Sequence, residues 1–466
     1  MALKTKDFSV TGTSSSGGIT YTYILRVTEN SINKTKNTSN VTVEAILKQT
    51  YSGTAFSSWS TGVSCTINGK EVFSDYRQRQ LSGTGEHVYY TWTGDFTHNA
   101  DGKLSLSVTG KLWQADPENY SPPTMVVPAG TMTLTTIARA SSIGAADANI
   151  ESHTTVVITR QDKSFTHSLA YKFEKLSGFI KADGTISSAE EKFSETTVSF
   201  GIPTSFYQQI PNDLYGTCTL TLTTYSGSTA IGTTTTTFRA TADKSLCKPT
   251  LTSAVVDVNE TTKALTGSEN TLVRFFSTAK CSSTASGKNG ATIQSLTING
   301  KAAEKETTLE NTETGKYVFR VVDSRGYATE KTVTKTLIPY VNLTCNLTAK
   351  RKEETSSEAV LTISGNCWNG DFGVTSNILT GYYRVVGSRW RTFTVTPNSN
   401  HTYSVSVDLT DLDYTESYTV DVLVEDALSV VIQQTTVKKG APVFDWGADY
   451  FNFNVPVHFK SGATGL

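Results

Sequence analysis

Short stretches in which apolar and polar residues alternate recur along most of the chain. Examples are "YTYILRVTEN", "NVTVEAILKQTY", "KLSLSVTGKLW" and "TCTLTLTTYSG", each broken by Gly, Asn, Asp or Ser nearby. Alternation with a period of two predicts β-strands that bury one face. The best helical candidate, residues 187–195 ("SSAEEKFSE"), is short. Abundant threonine suits exposed strand faces, so the pattern predicts an all-β protein of tandem β-sandwiches.

Four stretches have the composition of joints between domains. "TTIARASSIGAAD" is small and polar, "KSLCKPTL" and "LIPYVNLT" each contain a proline, and "KKGAPVFDWG" introduces the last segment. Pieces of the resulting size suit sandwich domains. We predict a larger, jelly-roll-like N-terminal sandwich over residues 1–137, a linker over 138–143, Ig-like sandwiches over 144–247 and 248–339, a fibronectin-III-like sandwich over 340–440, and a C-terminal assembly strand over 441–466.

A faint repeat of tyrosines supports this division. Tyr215, Tyr317 and Tyr418 each open an alternating strand, and they are spaced at about 100 residues, the length of one sandwich domain. Leu412 lies six residues before Tyr418. This spacing resembles the tyrosine corner, in which the hydroxyl ties a strand to the preceding loop.

The C-terminal stretch "VFDWGADYFNFNVPVHFKSG" has an apolar residue at every second position from Phe451 to Phe459. Pro456 makes a central strand of a sheet unfavourable. Either the apolar face is buried by another copy or a neighbouring protein, or residues 443–459 fold back onto the preceding sandwich. We favour assembly through Phe444, Trp446, Phe451, Phe453, Val455, Val457 and Phe459.

Aromatic residues are the candidates for binding a ligand at the surface, because their flat apolar rings stack on sugars. Trp368 and Phe372 lie in a loop-like stretch, "GNCWNGDFGVTSN". Loops at the ends of β-sandwiches often bind ligands or partner proteins. The candidate surface-binding residues are Trp368, Phe372, Tyr382 and Trp92. For Trp368 and Trp92 the alternative is a place in the core, and Trp390 is predicted to lie in the core.

Charge and composition narrow the class of partner. The net charge of −1 excludes the basic stripe that nucleic acid requires, and it argues against adhesion to anionic membranes. No apolar run is long enough to cross a membrane, and the start has no apolar signal region, so we expect no membrane insertion and no signal peptide. The six cysteines are scattered, which predicts free thiols in a reducing cytoplasm.

Motifs of catalytic or metal chemistry were not found. The six histidines stand in no metal-binding or catalytic pattern. The nearest match to a calcium loop, "DFTHNADG", lacks the closing glutamate. We therefore predict no cofactor, no metal and no catalytic residue. A pair of carboxylates that meets only in the fold stays open.

Two stretches carry a resemblance to a known family. "DFTHNADGKLSLSVTGKLW" and "APVFDWGADYFNFNVPVHFKSG", together with the joint "TTIARASSI", resemble the minor structural proteins of siphovirus-type bacteriophages that infect Gram-positive hosts. The resemblance implies a non-enzymatic component of the phage tail, at the tail tip, baseplate or fibre, that contributes to host attachment. In that family the FNFNVPV segment often leads into a longer region, whereas seven residues follow Phe459 here, so no activity of such a region is transferred.

The resemblance also implies the partners and the location. The partners would be other phage tail proteins, further copies of the chain in a trimer or other homo-oligomer, and a host cell-surface glycan. The protein would be made in the host cytoplasm and reside in the virion. Tandem modules suit a rod.

Two other functions remain open at this point. A bacterial surface adhesin or glycan-binding protein could be built from the same Ig-like modules, although the missing signal peptide and anchor count against it. A cell-wall glycan hydrolase carried on a tail would need a catalytic carboxylate pair in the N-terminal sandwich.

Overall fold

The computed structural model describes residues 3–16, 18–55, 60–78, 81–114, 120–440 and 444–453. Antiparallel sheets make up most of it, so the predicted all-β fold of tandem sandwiches is confirmed. The chain divides into two compact units, residues 1–243 and residues 244–466. Each unit contains two sandwiches.

The first sandwich packs the sheet β1-β2-β3-β8 against the sheet β10-β9-β5-β6, while β4 pairs with β7. Its strands are β1 (Thr5–Thr13), β2 (Thr20–Asn33), β3 (Thr38–Gln49), β4 (Thr54–Ala55), β5 (Ser60–Ile67), β6 (Lys70–Gln78), β7 (Leu81–Ser82), β8 (Gly85–Thr97), β9 (Ser105–Gln114) and β10 (Met125–Thr133). Alternate residues of β2, among them Tyr21, Tyr23 and Leu25, are fully buried. The alternation in the sequence therefore marks the face that forms the core.

A buried carboxylate fixes the exit of the chain from the first sandwich. Glu29 is 1% exposed, and its Oε2 accepts hydrogen bonds from the Thr135 backbone N–H (3.1 Å) and hydroxyl (2.6 Å). Its Oε1 accepts a hydrogen bond from Ser39 Oγ at 2.8 Å. These donors compensate for the desolvation of the buried carboxylate.

The second sandwich packs the sheet β11-β13-β17 against the sheet β12-β19-β18-β14-β15-β16. Its strands are β11 (Ser142–Ala145), β12 (Ala148–Asn149), β13 (His153–Thr159), β14 (Phe165–Phe173), β15 (Leu176–Ile180), β16 (Ile186–Ser187), β17 (Thr197–Gly201), β18 (Tyr215–Ser226) and β19 (Thr229–Thr241), with a 3-10 helix at Thr204–Gln209. The helical candidate at residues 187–195 forms no helix. There Phe193 is buried and pairs with His167 in an isolated β-bridge, so tertiary packing overrides the local propensity.

Polar contacts join the two sandwiches of the first unit. Lys34 Nζ lies 2.6 Å from Asp162 Oδ2 and 5.7 Å from the centre of the Phe165 ring. Arg139, in the connecting segment, donates to the Lys34 carbonyl oxygen (2.6 Å) and to the Ile231 carbonyl oxygen (2.7 Å). The Arg139 guanidinium thus ties both sandwiches to their connection.

The third sandwich packs the sheet β20-β22-β25 against the sheet β24-β23-β26-β27, and β21 pairs in parallel with β28. Its elements are α1 (Lys244–Cys247), β20 (Thr250–Val258), α2 (Glu260–Thr266), β21 (Thr271–Val273), β22 (Ala279–Ser286), β23 (Ile293–Ile298), β24 (Lys301–Ala302), β25 (Glu306–Leu309), β26 (Lys316–Asp323), β27 (Ala328–Thr334) and β28 (Thr336–Ile338). The pattern of the sequence does not predict the short helix α2. It ends at Gly267, whose left-handed φ of 68° suits glycine.

The fourth sandwich packs the sheet β29-β30-β33 against the sheet β32-β31-β34-β35, and the separate hairpin β36-β37 follows it. The strands are β29 (Asn346–Arg351), β30 (Ala359–Asn366), β31 (Thr380–Val385), β32 (Arg391–Thr394), β33 (Thr402–Leu409), β34 (Tyr418–Glu425), β35 (Val430–Val437), β36 (Phe444–Trp446) and β37 (Phe451–Phe453). In the described residues the second, third and fourth sandwiches share one arrangement. A three-stranded sheet packs against a larger sheet in which the last two long strands of the sandwich are neighbours. The three-stranded sheets are β11-β13-β17, β20-β22-β25 and β29-β30-β33, and the neighbouring strands are β18 and β19, β26 and β27, and β34 and β35.

The repeated tyrosines occupy equivalent strands in these three sandwiches. Tyr215, Tyr317 and Tyr418 lie at the beginning of β18, β26 and β34. The Tyr418 hydroxyl accepts the backbone N–H of Asp413 at 2.9 Å, and the Tyr317 hydroxyl bonds to Thr312 Oγ1 at 2.7 Å. The hydroxyl therefore ties strand to preceding loop in the third and fourth sandwiches. The Tyr215 ring is 46% exposed instead.

Candidate attachment and assembly surfaces

The predicted assembly segment begins as a hairpin. Strands β36 and β37 are antiparallel, with Phe444 opposite Phe453 and Trp446 opposite Phe451. The turn is closed by a hydrogen bond from the Gly447 N–H to the Tyr450 carbonyl oxygen at 2.9 Å. The single alternating strand expected from the sequence is thus preceded by a partner strand. Val455, Val457 and Phe459 lie outside the described residues.

The described rings of this hairpin are exposed. Phe451 is 59% exposed, Phe453 41% and Tyr450 60%, and the rings of Phe451 and Phe453 meet edge to face with centroids 5.2 Å apart. A two-stranded hairpin of this length has marginal stability in water. Clustered exposed aromatic residues are typical of surfaces that contact another molecule. The hairpin is therefore a candidate assembly surface.

Tyr382 lies on the outward face of the sheet β32-β31-β34-β35. In the register of the sheet it stands between Thr392 and Leu423, and Leu423 stands beside Ile432. Ile432 is 63% exposed, whereas Tyr382 and Leu423 are half-buried. These residues form an apolar row across the sheet, and we call Tyr382, Leu423 and Ile432 the Tyr382 row.

A polar row runs beside the Tyr382 row. Asp421 accepts hydrogen bonds from Arg384 Nε and from Gln434 Nε2, both at 2.9 Å. These two donors, Gln434 first, hold the pKa of Asp421 below its usual range. The Arg384 guanidinium also lies 4.6 Å from the centre of the Trp390 ring. Since its carboxylate is ionised and occupied by two donors, Asp421 is unsuited to act as a general acid.

The prediction that Trp390 lies in the core is wrong. The indole is 40% exposed and stacks on Arg384, so it does not lie in the core. Arg384, Asp421 and Gln434 are not among the residues predicted from the sequence. The sequence does contain a signal for them, because every second residue of a strand faces the same side of the sheet. Arg384 is two residues from Tyr382 on β31, and Asp421 is two residues from Leu423 on β34, so both pairs share the outward face. That signal becomes useful only once the strand pairing is known.

Trp368 and Phe372 occupy the junction of the third and fourth sandwiches, so they are not exposed platforms. Trp368 is 9% exposed and Phe372 1% exposed, and both cluster with Val273 and Tyr340. Partly buried residues of both sandwiches pack against this cluster, including Leu265 and Leu428. The burial contradicts the prediction of surface binding for Trp368 and Phe372. We call Val273, Tyr340, Trp368 and Phe372 the Trp368 joint.

Hydrogen bonds reinforce the Trp368 joint from both sides. The backbone N–H groups of Val374 and Thr375 donate to the carbonyl oxygen of Leu265 in α2, at 3.2 and 3.3 Å. The Tyr340 hydroxyl donates to Asp426 Oδ2 at 3.0 Å. Burial raises the pKa of Tyr340 to about 12, so this hydroxyl keeps its proton at neutral pH. The loop after β30 therefore serves as a structural connection.

Trp92 does not form a free platform either. Its ring is half-buried, packs against the first core and meets Phe96 edge to face, with centroids 5.9 Å apart. The alternative of the sequence analysis, a place at the core, agrees with this position. Of the four predicted surface-binding residues, Tyr382 is the one that lies in an outward row with exposed apolar neighbours.

Metal and thiol chemistry depend on the placement of the possible metal ligands and of the thiols in the described part of the chain. No three His, Cys, Asp or Glu side chains there are grouped as metal ligands. All six cysteines are buried and unpaired, and burial raises the pKa of the Cys65 thiol and of the Cys218 thiol to about 12. Such thiols are poor nucleophiles at neutral pH. Among the described residues no helix is long and apolar enough to cross a membrane.

The calcium-loop candidate "DFTHNADG" forms the end of β8 and the turn that follows it. Asp101 Oδ1 accepts the Lys103 backbone N–H at 3.0 Å, and the Gly102 N–H donates to the Asn99 carbonyl oxygen at 2.9 Å. The ring of His98 is buried and lies 2.8 Å from the Gly102 carbonyl oxygen through Nδ1. The side chains thus stabilise the connection from β8 to β9.

The model of a siphovirus protein family of unknown function (DUF859) matches residues 14–368. No curated protein matches the chain.

The similar solved structures contain tandem modules. The N-terminal eight Ig domains of Down Syndrome Cell Adhesion Molecule isoform 1.30.30 are 9% identical, with a TM-score of 0.25, over 93% of this chain and 67% of that chain. The titin I-band fragment I67–I69 is 6% identical, with a TM-score of 0.25, over 65% of this chain and 99% of that chain. A tetra-tandem repeat from the extending region of a large adhesion protein is 12% identical, with a TM-score of 0.24, over 88% and 97%.

Proposed function

The chain belongs to a family of siphovirus proteins, and from this premise we propose that it is a non-enzymatic structural component of the phage tail. Its place would be the tail tip, the baseplate or a fibre, and it would contribute to attachment to a Gram-positive host. Other tail proteins, further copies of the chain and a host cell-surface glycan are the proposed partners. The protein would be made in the host cytoplasm and reside in the virion.

The observation that carries the structural role is the exposed aromatic hairpin β36-β37. Burying a large apolar side chain contributes roughly 1.5–3 kcal/mol of favourable free energy. The exposed rings of Tyr450, Phe451 and Phe453 would therefore favour contact with another protein surface that covers them. We assign that cover to a second copy of the same chain. A symmetric assembly lets one short hairpin cover its equivalent in every copy.

The role in attachment is supported by the Tyr382 row on the fourth sandwich. Its apolar side chains lie beside the Arg384–Asp421 pair and the exposed Trp390, so apolar and hydrogen-bonding groups adjoin. Such a mixture is typical of surfaces that bind partners. Several copies in one tail would multiply a weak contact at each copy.

Self-association is tested with a variant of the full chain that carries Phe451→Asp and Phe453→Asp. We expect wild-type protein to form a homo-oligomer, and the double variant to have the mass of a monomer, because two carboxylates would be buried at the contact. The matched control is Ile378→Asp, since Ile378 is 72% exposed in a loop of the fourth sandwich. Multi-angle light scattering after gel filtration gives the masses. A wild-type monomer, or an oligomer that persists in the double variant, would refute assembly through the hairpin.

The place in the virion is tested by immunogold labelling of intact phage particles with antibody against the chain. Label at the distal end of the tail would support the proposal. Particles that carry no label while the protein is abundant in the lysate would contradict a structural role.

A further inference from the structure

Two aromatic rings share the outward face of the sheet β10-β9-β5-β6 in the first sandwich. Tyr76 on β6 and Trp113 on β9 both stand opposite Gly62 on the intervening strand β5. Their centroids are 6.4 Å apart and their planes differ by 13°. Tyr76 is 48% exposed and Trp113 is half-buried. Two nearly parallel rings on one open face form what we call the aromatic platform (Tyr76, Gly62 and Trp113).

Gly62 makes this arrangement possible. A Cβ at this position would lie 2.1 Å from Cε2 of the Trp113 indole, far inside van der Waals contact. Only a residue without a side chain lets the indole lie across the strand beside Tyr76. The backbone of Gly62 has no positive φ, so the close approach of the ring is the reason that the position requires glycine.

Polar groups frame the aromatic platform. In the next row of the sheet Ser64 stands between Ser74 and Lys111, and on the other side Ser60 stands opposite Gln78. Lys111 is exposed, and its Nζ lies 5.8 Å from the centre of the Trp113 ring. Among the described residues of these two rows Lys111 is the one charged group. The platform and these two rows therefore offer flat apolar surface, hydroxyl and amide groups, and one positive charge.

We propose that the aromatic platform binds an anionic saccharide chain of the host cell surface, and this inference rests on the proposed role in attachment. The apolar C–H faces of sugar rings would stack on Tyr76 and Trp113, because aromatic faces are flat and electron-rich. Sugar hydroxyls would bond to Ser64 and Gln78. A phosphate or carboxylate beside the stacked sugar would meet Lys111, which supplies the complementary charge.

The charge of the chain favours a saccharide over the other polymers that stack on aromatic rings. Single-stranded nucleic acid also stacks on aromatic residues, but it needs a basic groove along its backbone. The chain has a net charge of −1, and the two rows that frame the platform hold one lysine. A saccharide with spaced anionic groups matches this density of charge.

The test uses the full chain and a panel of purified, immobilised wall polysaccharides from Gram-positive bacteria, with binding measured by biolayer interferometry. We expect wild type to bind, and Trp113→Ala and Tyr76→Ala to bind about 10- to 100-fold more weakly, as the loss of one stacked ring implies. Gly62→Ala keeps both rings but displaces the indole, so it should lose a similar factor. The matched control is Tyr51→Ala, since Tyr51 is also about half exposed in the first sandwich. Circular dichroism confirms that each variant is folded.

Two treatments of the polysaccharide identify the anionic group. Hydrofluoric acid removes phosphodiesters, and carbodiimide with borohydride reduces carboxylates. We expect one treatment to weaken wild-type binding and to leave Lys111→Gln binding unchanged, because that variant lacks the cation. If neither treatment weakens binding, the proposed contact between Lys111 and an anionic group of the saccharide is wrong.

The outcomes separate this inference from the proposed function. Binding that persists in Trp113→Ala and Gly62→Ala, or no binding of wild type to the panel, would overturn the aromatic platform as a saccharide site. Tail labelling and self-association through β36-β37 could still hold in that case. If the platform variants change the mass of the protein instead of its binding, the face is a protein interface and the inference fails.

Discussion

At the scale of single residues, burial decides which groups stay available for function. Trp368 and Trp390 are tryptophans of one sandwich, yet the first is 9% exposed and the second 40%. Trp368 packs into the Trp368 joint, whereas Trp390 stacks on the guanidinium of Arg384. A local sequence rich in Gly and Asn around Trp368 suggests an open loop, but the neighbouring sandwich covers that loop.

The ion pair of Lys34 and Asp162 makes a prediction about pH. The hydrogen bond from Lys34, followed by those from Ser164, lowers the pKa of Asp162 to about 2. Because the carboxylate is ionised more easily in the folded state, its stabilising effect is complete above the unfolded pKa of about 3.9 and is lost as the pH falls toward 2.

A double-mutant cycle of Lys34→Met and Asp162→Asn measures this pair. The two side chains are 31% and 26% exposed, so solvent screens them and we expect a coupling of about 1 kcal/mol at pH 7. Urea unfolding between pH 7 and pH 2 should show the coupling begin to fall below about pH 4 and become small at pH 2. A coupling that is constant over this range would contradict the assigned pair.

At the scale of elements, one loop and one helix contribute to the contact between the third and fourth sandwiches of the second unit. The loop after β30 places Trp368 and Phe372 against Val273 and Tyr340, and its backbone bonds to the end of α2. Neither element stands out in the alternating pattern, because α2 is a single short helix and the loop has no period. The alternation predicts the sheets themselves, since each strand has a buried face.

Phe372→Ala tests the Trp368 joint. Phe372 is 1% exposed, and emptying such a site costs about 3–5 kcal/mol through lost contacts and the cavity. We expect differential scanning calorimetry to show a lower Tm for the transition of the second unit alone. In the control Trp390→Ala, removal of an exposed ring should cost no more than about 1 kcal/mol. Equal Tm shifts in the two variants would refute the joint.

At the scale of the whole molecule, the chain consists of two compact units with a boundary at residue 243. Each unit contains its own cores and its own contacts between sandwiches, such as Arg139 in the first and the Trp368 joint in the second. This grouping in pairs is coarser than the division into four sandwiches that the sequence predicts.

Fragments of the chain test the two units. We expect residues 1–243 and residues 244–440 to fold separately, each with a Tm within a few degrees of the matching transition in the full chain, because both keep their internal contacts. A cut between residues 339 and 340 divides the Trp368 joint and should lower the Tm of both resulting pieces. Calorimetry compares the fragments. Fragments 1–243 and 244–440 that remain unfolded would show that the units depend on each other.

The sequence alone determined the all-β class, the tandem sandwiches and the inward face of most strands, because alternation is a local property of the chain. It also indicated the siphovirus family. Only the tertiary structure decided which aromatic residues face solvent. Tyr382 and Trp113 belong to outward rows through the pairing of strands that are distant in the sequence, and the role of Gly62 is evident only beside Trp113. Burial depends on what the rest of the fold brings to a residue, and that information is not contained in its neighbours along the chain.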